Sequence, residues 1–102
     1  PQAVVLGNVF DPVRAMEPGF VQQLCQDFDL QCGRYGPIEK LTVDWTENTS
    51  SITIIFVSSL SAADCIAGMN NLTCDGRQLT ASYDPTYVTR VQFLVAKDNV
   101  GF

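Results

Sequence analysis

The sequence predicts an α+β fold: strands and helices in the order βαββαβ, closed as a four-stranded antiparallel sheet with two helices on one face. Three observations lead there. Two segments carry apolar residues at helical spacing, four carry β-branched residues in alternating or continuous apolar runs, and turn-forming residues separate them. With 102 residues and 46% hydrophobic content, the chain buries one core of ordinary size, so residues 1–102 are read as a single domain with 84–102 as a C-terminal extension.

Residues 3–9 are branched and apolar, and Asp11-Pro12 closes them because proline lacks a donor and aspartate caps a turn. This is the first predicted strand. From Pro18-Gly19 onward Val21, Leu24, Cys25, Phe28 and Cys32 recur at three- and four-residue spacing, while Gln22, Gln23, Gln26, Asp27 and Gln31 cover the rest of the surface. That helix ends near Gly33 to Gly36, where glycine takes a left-handed conformation and Pro37 cannot extend the ladder. Residues 38–44 form the second strand despite imperfect alternation, residues 46–51 a polar loop, and residues 52–57 the third strand.

Ser61, with Asp64 three residues later, has the form of a helix start, and Ala62, Cys65, Ile66 and Met69 supply the apolar stripe up to Asn70-Asn71. After a turn at Cys74-Asp75-Gly76, residues 77–83 alternate Gln78, Thr80 and Ser82 with Leu79, Ala81 and Tyr83, a half-buried fourth strand. Two readings stay open for the extension. Asp84-Pro85 resembles a cap and first helical turn, with Val88, Val91, Leu94 and Val95 at helical spacing, which gives a third helix across the sheet. The β-branched residues fit a strand or the tail of a longer parent protein equally well.

Six basic residues against eleven acidic ones give a net charge of −5. Such a surface repels a phosphate backbone and suits a basic partner. Four cysteines form no C-x-x-C pair and histidine is absent, so neither a zinc site nor any cofactor is expected, and Cys25, Cys32 and Cys65 are read as free core thiols of a reducing compartment. The sequons Asn48-Thr49-Ser50 and Asn71-Leu72-Thr73 are set aside as chance patterns. No apolar run approaches a bilayer span and no leader precedes the first strand, which reads as a soluble excised domain. Without histidine, nucleophile elbow or P-loop, and with Asp27 and Asp29 too close in sequence to face each other, an enzyme is not expected.

Val4-Val5-Leu6-Gly7-Asn8-Val9 resembles the first ribonucleoprotein signature of RNA recognition motifs (RRMs), and Asp64-Cys65-Ile66-Ala67-Gly68-Met69-Asn70-Asn71 resembles their second helix and its exit. Residues 49–56 then fall on the other signature, whose last aromatic is matched by an inward-pointing Phe56. The exposed positions on which bases stack are Val5, Ser51 and Thr53, none of them aromatic. Each stacked base is worth about 1–3 kcal/mol, so losing these platforms removes most of the RNA affinity expected of one such sheet.

An atypical branch of that family, the U2AF homology motif (UHM) of splicing factors, resembles nearly the whole chain. The resemblance rests on Cys32-Gly33-Arg34-Tyr35-Gly36-Pro37-Ile38-Glu39-Lys40-Leu41, on the weakened RNA signatures, and on Gly76-Arg77-Gln78-Leu79, which is similar to the family's Arg-X-Phe loop. The Tat-specific splicing factor type is the most similar, through Val4-Val5-Leu6-Gly7-Asn8-Val9-Phe10-Asp11-Pro12 and an aliphatic residue after Arg-Gln. The resemblance implies a nuclear protein-interaction module of pre-mRNA splicing. Its ligand is a Trp-containing basic peptide of a partner splicing factor, such as the large subunit of splicing factor 3b.

Carried over residue by residue, the peptide site is Arg77, Gln78 and Leu79 with Gln23, Asp27 and Gln31 of the first helix. Arg77 pairs with Asp27 in that reading and Leu79 stands under the indole where the family has phenylalanine. The first helix is less acidic than the family's, and Glu17 and Asp64 are the carboxylates placed to compensate. Trp45 follows Val43-Asp44 without a basic run and is read as a surface or sheet-edge residue. The competing function is a degenerate RRM that binds RNA through loops or flanking segments.

Overall fold

The computed structural model describes residues 2–85, and its elements follow the predicted order. They are β1 (Ala3–Gly7), α1 (Phe20–Cys32), β2 (Ile38–Trp45), β3 (Ser50–Phe56), α2 (Ser59–Met69), β4 (Thr73–Cys74), β5 (Arg77–Gln78) and β6 (Thr80–Tyr83). Short 3-10 turns, Pro12–Met16 and Gly33–Tyr35, flank α1. The antiparallel sheet runs β2-β3-β1-β6, and β4 with β5 forms a separate two-stranded ribbon.

Alternation on β3 decides which face is inside: Ile52, Ile54 and Phe56 are fully buried, as are Val4 and Leu6 opposite them. Both helices pack on that face through Phe28, Cys32, Ala62, Cys65 and Met69. Burial of each large side chain contributes about 1.5–3 kcal/mol, which makes this single cluster the main source of cohesion. Cys32 and Cys65 meet inside it as free thiols. The hydrogen bond that Cys32 donates to Cys65, and then burial, hold the Cys32 thiol well above its usual range.

Several details differ from the sequence reading, each for a local reason; the third strand, expected over 52–57, runs Ser50–Phe56 because Ser50 and Ser51 already pair with Trp45 and Asp44. β1 stops at Gly7 because Asn8 takes a left-handed conformation (φ 59°) and turns Val9 and Phe10 down into the core. The imperfect alternation of β2 is a bulge: Ile38 pairs with Phe56 and Lys40 with Ile55, so Glu39 has no opposite number. α2 starts a turn earlier than expected, with the Ser58 hydroxyl accepting from the Leu60 N–H at 3.1 Å. Ser61 lies inside that helix and is buried. The predicted strand 77–83 is two strands, because residues 77–78 pair with β4 and residues 80–83 with β1.

The Asp84 N–H still bonds to the Ala3 carbonyl at 2.9 Å. The third helix considered for the extension lies outside the described residues.

Gly36 sits at φ 152°, between the 3-10 turn and β2. A Cβ there would meet Ser61 Oγ and, at 2.8 Å, Ser61 Cβ, so the backbone approaches α2 closer than any side chain permits. Gly36→Ala is expected to lower the unfolding free energy by about 1–3 kcal/mol, read as a lower midpoint in urea titration with unchanged slope. An unchanged midpoint would mean that this contact relaxes freely.

Candidate functional site

Beside the core, α1 and the β4–β5 ribbon stand apart and leave a groove. Its wall is a short hairpin closed by Asp75 (φ 51°) and Gly76 (φ 75°), the paired positive dihedrals that a two-residue turn needs. Two hollows of about 320 Å³ each open along it and share Leu24, Asp27, Phe28, Cys74 and Asp75. The first continues past Gln23 and Arg77 to Phe20, Arg14 and Asp11; the second continues past Gln31 and Leu72 to Met69. The base is therefore apolar, and Asp11, Asp27 and Asp75 stand at the edges together with Arg14, Arg34 and Arg77.

Of the six residues singled out from sequence, five border this groove. Gln23, Asp27 and Arg77 line the first hollow, and Asp27, Gln31 and Leu79 the second. Gln78 lines neither, being exposed on the ribbon with its carbonyl accepting from Asn8 Nδ2 at 3.0 Å. Leu79 is fully buried between the ribbon and the sheet, so it supports the groove from beneath.

The implied pairing of Arg77 with Asp27 is replaced by another. Arg77 donates from Nη2 to Asn8 Oδ1 at 2.7 Å and from Nε to the Asn8 carbonyl at 3.4 Å. Asp27 accepts instead from Gln23 Nε2 at 3.0 Å. The left-handed Asn8 presents both its oxygens to the ribbon, so a neutral partner one strand away takes the guanidinium that α1 was expected to hold. Glu17 is drawn to Arg14 at 3.4 Å, and the Arg14 guanidinium lies 4.4 Å from the centre of the Phe20 ring.

Several groove residues carry no signal in the sequence. Leu72 and Cys74 form the wall, but strands two residues long are too short to show periodicity. Phe20 and Arg14 join the site only because the Pro12–Met16 turn folds back on α1. Burial, and then the neighbouring Asp75 carboxylate, push the Cys74 thiol up, so it stays protonated near neutral pH and acts as an apolar surface.

On the opposite face Val5 pairs with Thr53 and Gly7 with Ser51, which puts the three positions read from the RNA signatures side by side. None carries a ring. Lys40, Thr42 and Asp44 continue that face on β2.

No family model matches the chain, and no curated protein matches it. Solved structures do. The third RRM of Pes4 superposes with a TM-score of 0.64 at 13% identity, over 82% of this chain and 92% of that one. The Rna15 RRM with bound RNA (GU) gives 0.58 at 22% identity, over 82% and 83%. The third RRM of Mip6 gives 0.63 at 6% identity, over 80% and 90%. At these identities the likeness establishes the RRM-like fold.

Because Leu79 is enclosed, its truncation should act first on the core. Leu79→Ala is expected to cost about 2–5 kcal/mol of stability, measured by urea unfolding without any ligand. A loss below about 1 kcal/mol would show that Leu79 belongs to the groove surface and not to the core.

Proposed function

We propose that this domain is a protein-interaction module whose groove between α1 and the β4–β5 ribbon takes the tryptophan of a basic peptide. One observation carries the reading: an apolar trough based on Leu24, Phe28 and Cys74, edged by Asp11, Asp27 and Asp75 with Arg14, Arg34 and Arg77 among them, lies opposite a sheet whose stacking positions are Val5, Ser51 and Thr53. An indole buries 150–250 Å² of mostly apolar surface and is a common binding anchor, while the rim carboxylates attract and orient lysine or arginine beside it.

The resemblance to the UHM family supports the same ligand class. It further supports a nuclear role in pre-mRNA splicing, with the large subunit of splicing factor 3b as the first partner to test. Within this reading Arg77 lines the trough and Asn8 fixes its guanidinium, which leaves Asp27 available to the peptide's cations once Gln23 swings aside. Leu72 and Cys74 take the side-wall position next to the ring.

The RNA reading draws on the Rna15 neighbour, which carries bound RNA (GU). For this chain it lacks aromatic platforms on the sheet, and the net charge of −5 works against it.

Titration of a short Lys/Arg-Trp peptide, and separately of a mixed single-stranded RNA pool, distinguishes the two. Peptide should move amide signals of α1 and of residues 72–77, and Asp27→Lys should weaken it at least tenfold. Arg77→Ala should weaken it as well. Shifts confined to Val5, Ser51, Thr53 and their neighbours, produced by RNA and not by peptide, would defeat the peptide reading.

A further inference from the structure

Across the Pro12–Met16 turn from the groove lies another hollow, of about 380 Å³, lined by Pro12, Val13, Met16, Trp45, Thr46 and Glu47. Its apolar residues stand in water: Val13 is 73% exposed, Met16 83% and Trp45 44%. The turn buries none of its residues, so core packing does not explain why valine and methionine occupy it. Clustered apolar side chains of this kind mark contact surfaces more often than single ones do.

The turn is held firmly in place. Asp11 Oδ1 accepts from the Val13 N–H at 3.1 Å, and the Arg14 and Glu17 N–H groups bond back to Asp11 and Arg14 carbonyls at 2.9 and 3.0 Å. Its residues divide between two sides, since Asp11 and Arg14 line the groove while Pro12, Val13 and Met16 line the outer hollow. Phe10 underlies both, its ring 5.4 Å from Phe20 and 6.5 Å from Trp45. The hollow is thus a continuation of the groove around one corner. Its charged lining residue is Glu47, with no lysine or arginine among the lining residues, so it favours a cationic segment, whereas the groove edges carry both signs.

We infer that the hollow at Met16 and Trp45 is a second docking point for the same basic peptide, receiving an aliphatic side chain that follows or precedes the tryptophan. This rests on the peptide reading of the groove. Two ring-to-ring steps across Phe10 lead from Phe20, at one end of the groove, to Trp45, a span of at most roughly four extended residues.

Trp45 is the sole tryptophan of the chain, so it can be replaced uniformly by 5-fluorotryptophan and followed by fluorine NMR in the full 102-residue protein. Two Lys/Arg-Trp peptides are compared, one with leucine four residues to each side of the tryptophan and one with glycine there. The leucine peptide should shift the Trp45 fluorine signal and bind at least fivefold tighter. Met16→Gln, at an exposed position, should abolish that gain and leave the glycine peptide unaffected.

Equal affinities with an unmoved fluorine signal, while α1 amides shift, would overturn this second point and leave the groove reading standing. If neither peptide moves α1 amides, both readings fall. A fluorine signal that moves with protein concentration alone would overturn it too, by assigning the hollow to a second copy of the chain.

Discussion

Much of this structure hangs on the corner where β1 ends. Asn8, in a left-handed conformation, donates its backbone N–H to the Ser50 carbonyl at 3.2 Å and its side-chain N–H to the Gln78 carbonyl, while both its oxygens accept from the Arg77 guanidinium. Two residues on, Ser50 Oγ donates to the Phe10 carbonyl at 2.7 Å and accepts from the Phe10 N–H at 3.0 Å, in a buried setting. Buried polar groups satisfied in this reciprocal way resist rearrangement, since breaking one bond leaves two groups unpaired. One residue therefore ties together two strands of the sheet and the ribbon, and the next aromatic is fixed where the groove and the outer hollow meet.

The fold was readable because its core obeys simple periods. Ile52, Ile54 and Phe56 alternate, Leu24, Phe28 and Cys32 recur each helical turn, and proline and glycine punctuate between them. Where the reading missed, a side chain outweighed the period. Asn8 ends a strand that Val9 would have continued, and Ser58 captures a helix start that Ser61 also offers. The ribbon was invisible because its partner strands are two residues each and their pairing depends on the Asp75-Gly76 turn.

The site was legible in outline and not in wiring. Gln23, Asp27, Gln31 and Arg77 border one groove, a grouping that the resemblance to the UHM family led one to expect. The partner of Arg77 was not, because Asn8 is 69 residues away in sequence and its left-handed backbone aims the amide in a direction that no local pattern encodes. A neutral amide in place of a carboxylate also changes the electrostatics. Arg77 bonds to Asn8 and Asp27 to Gln23, so the groove presents both signs within a few side chains.

Leu79 gives the groove a mechanical property of its own. Its N–H bonds to the Leu72 carbonyl at 2.8 Å and its carbonyl accepts from the Asn71 N–H at 2.9 Å, while its side chain is sealed in the core. The groove wall and the interior that holds the sheet thus share one residue. Loosening the ribbon means withdrawing that leucine, so the wall has no cheap local opening. A groove wall built this way is preformed, and the entropy that a flexible loop would lose on ordering has already been spent in folding.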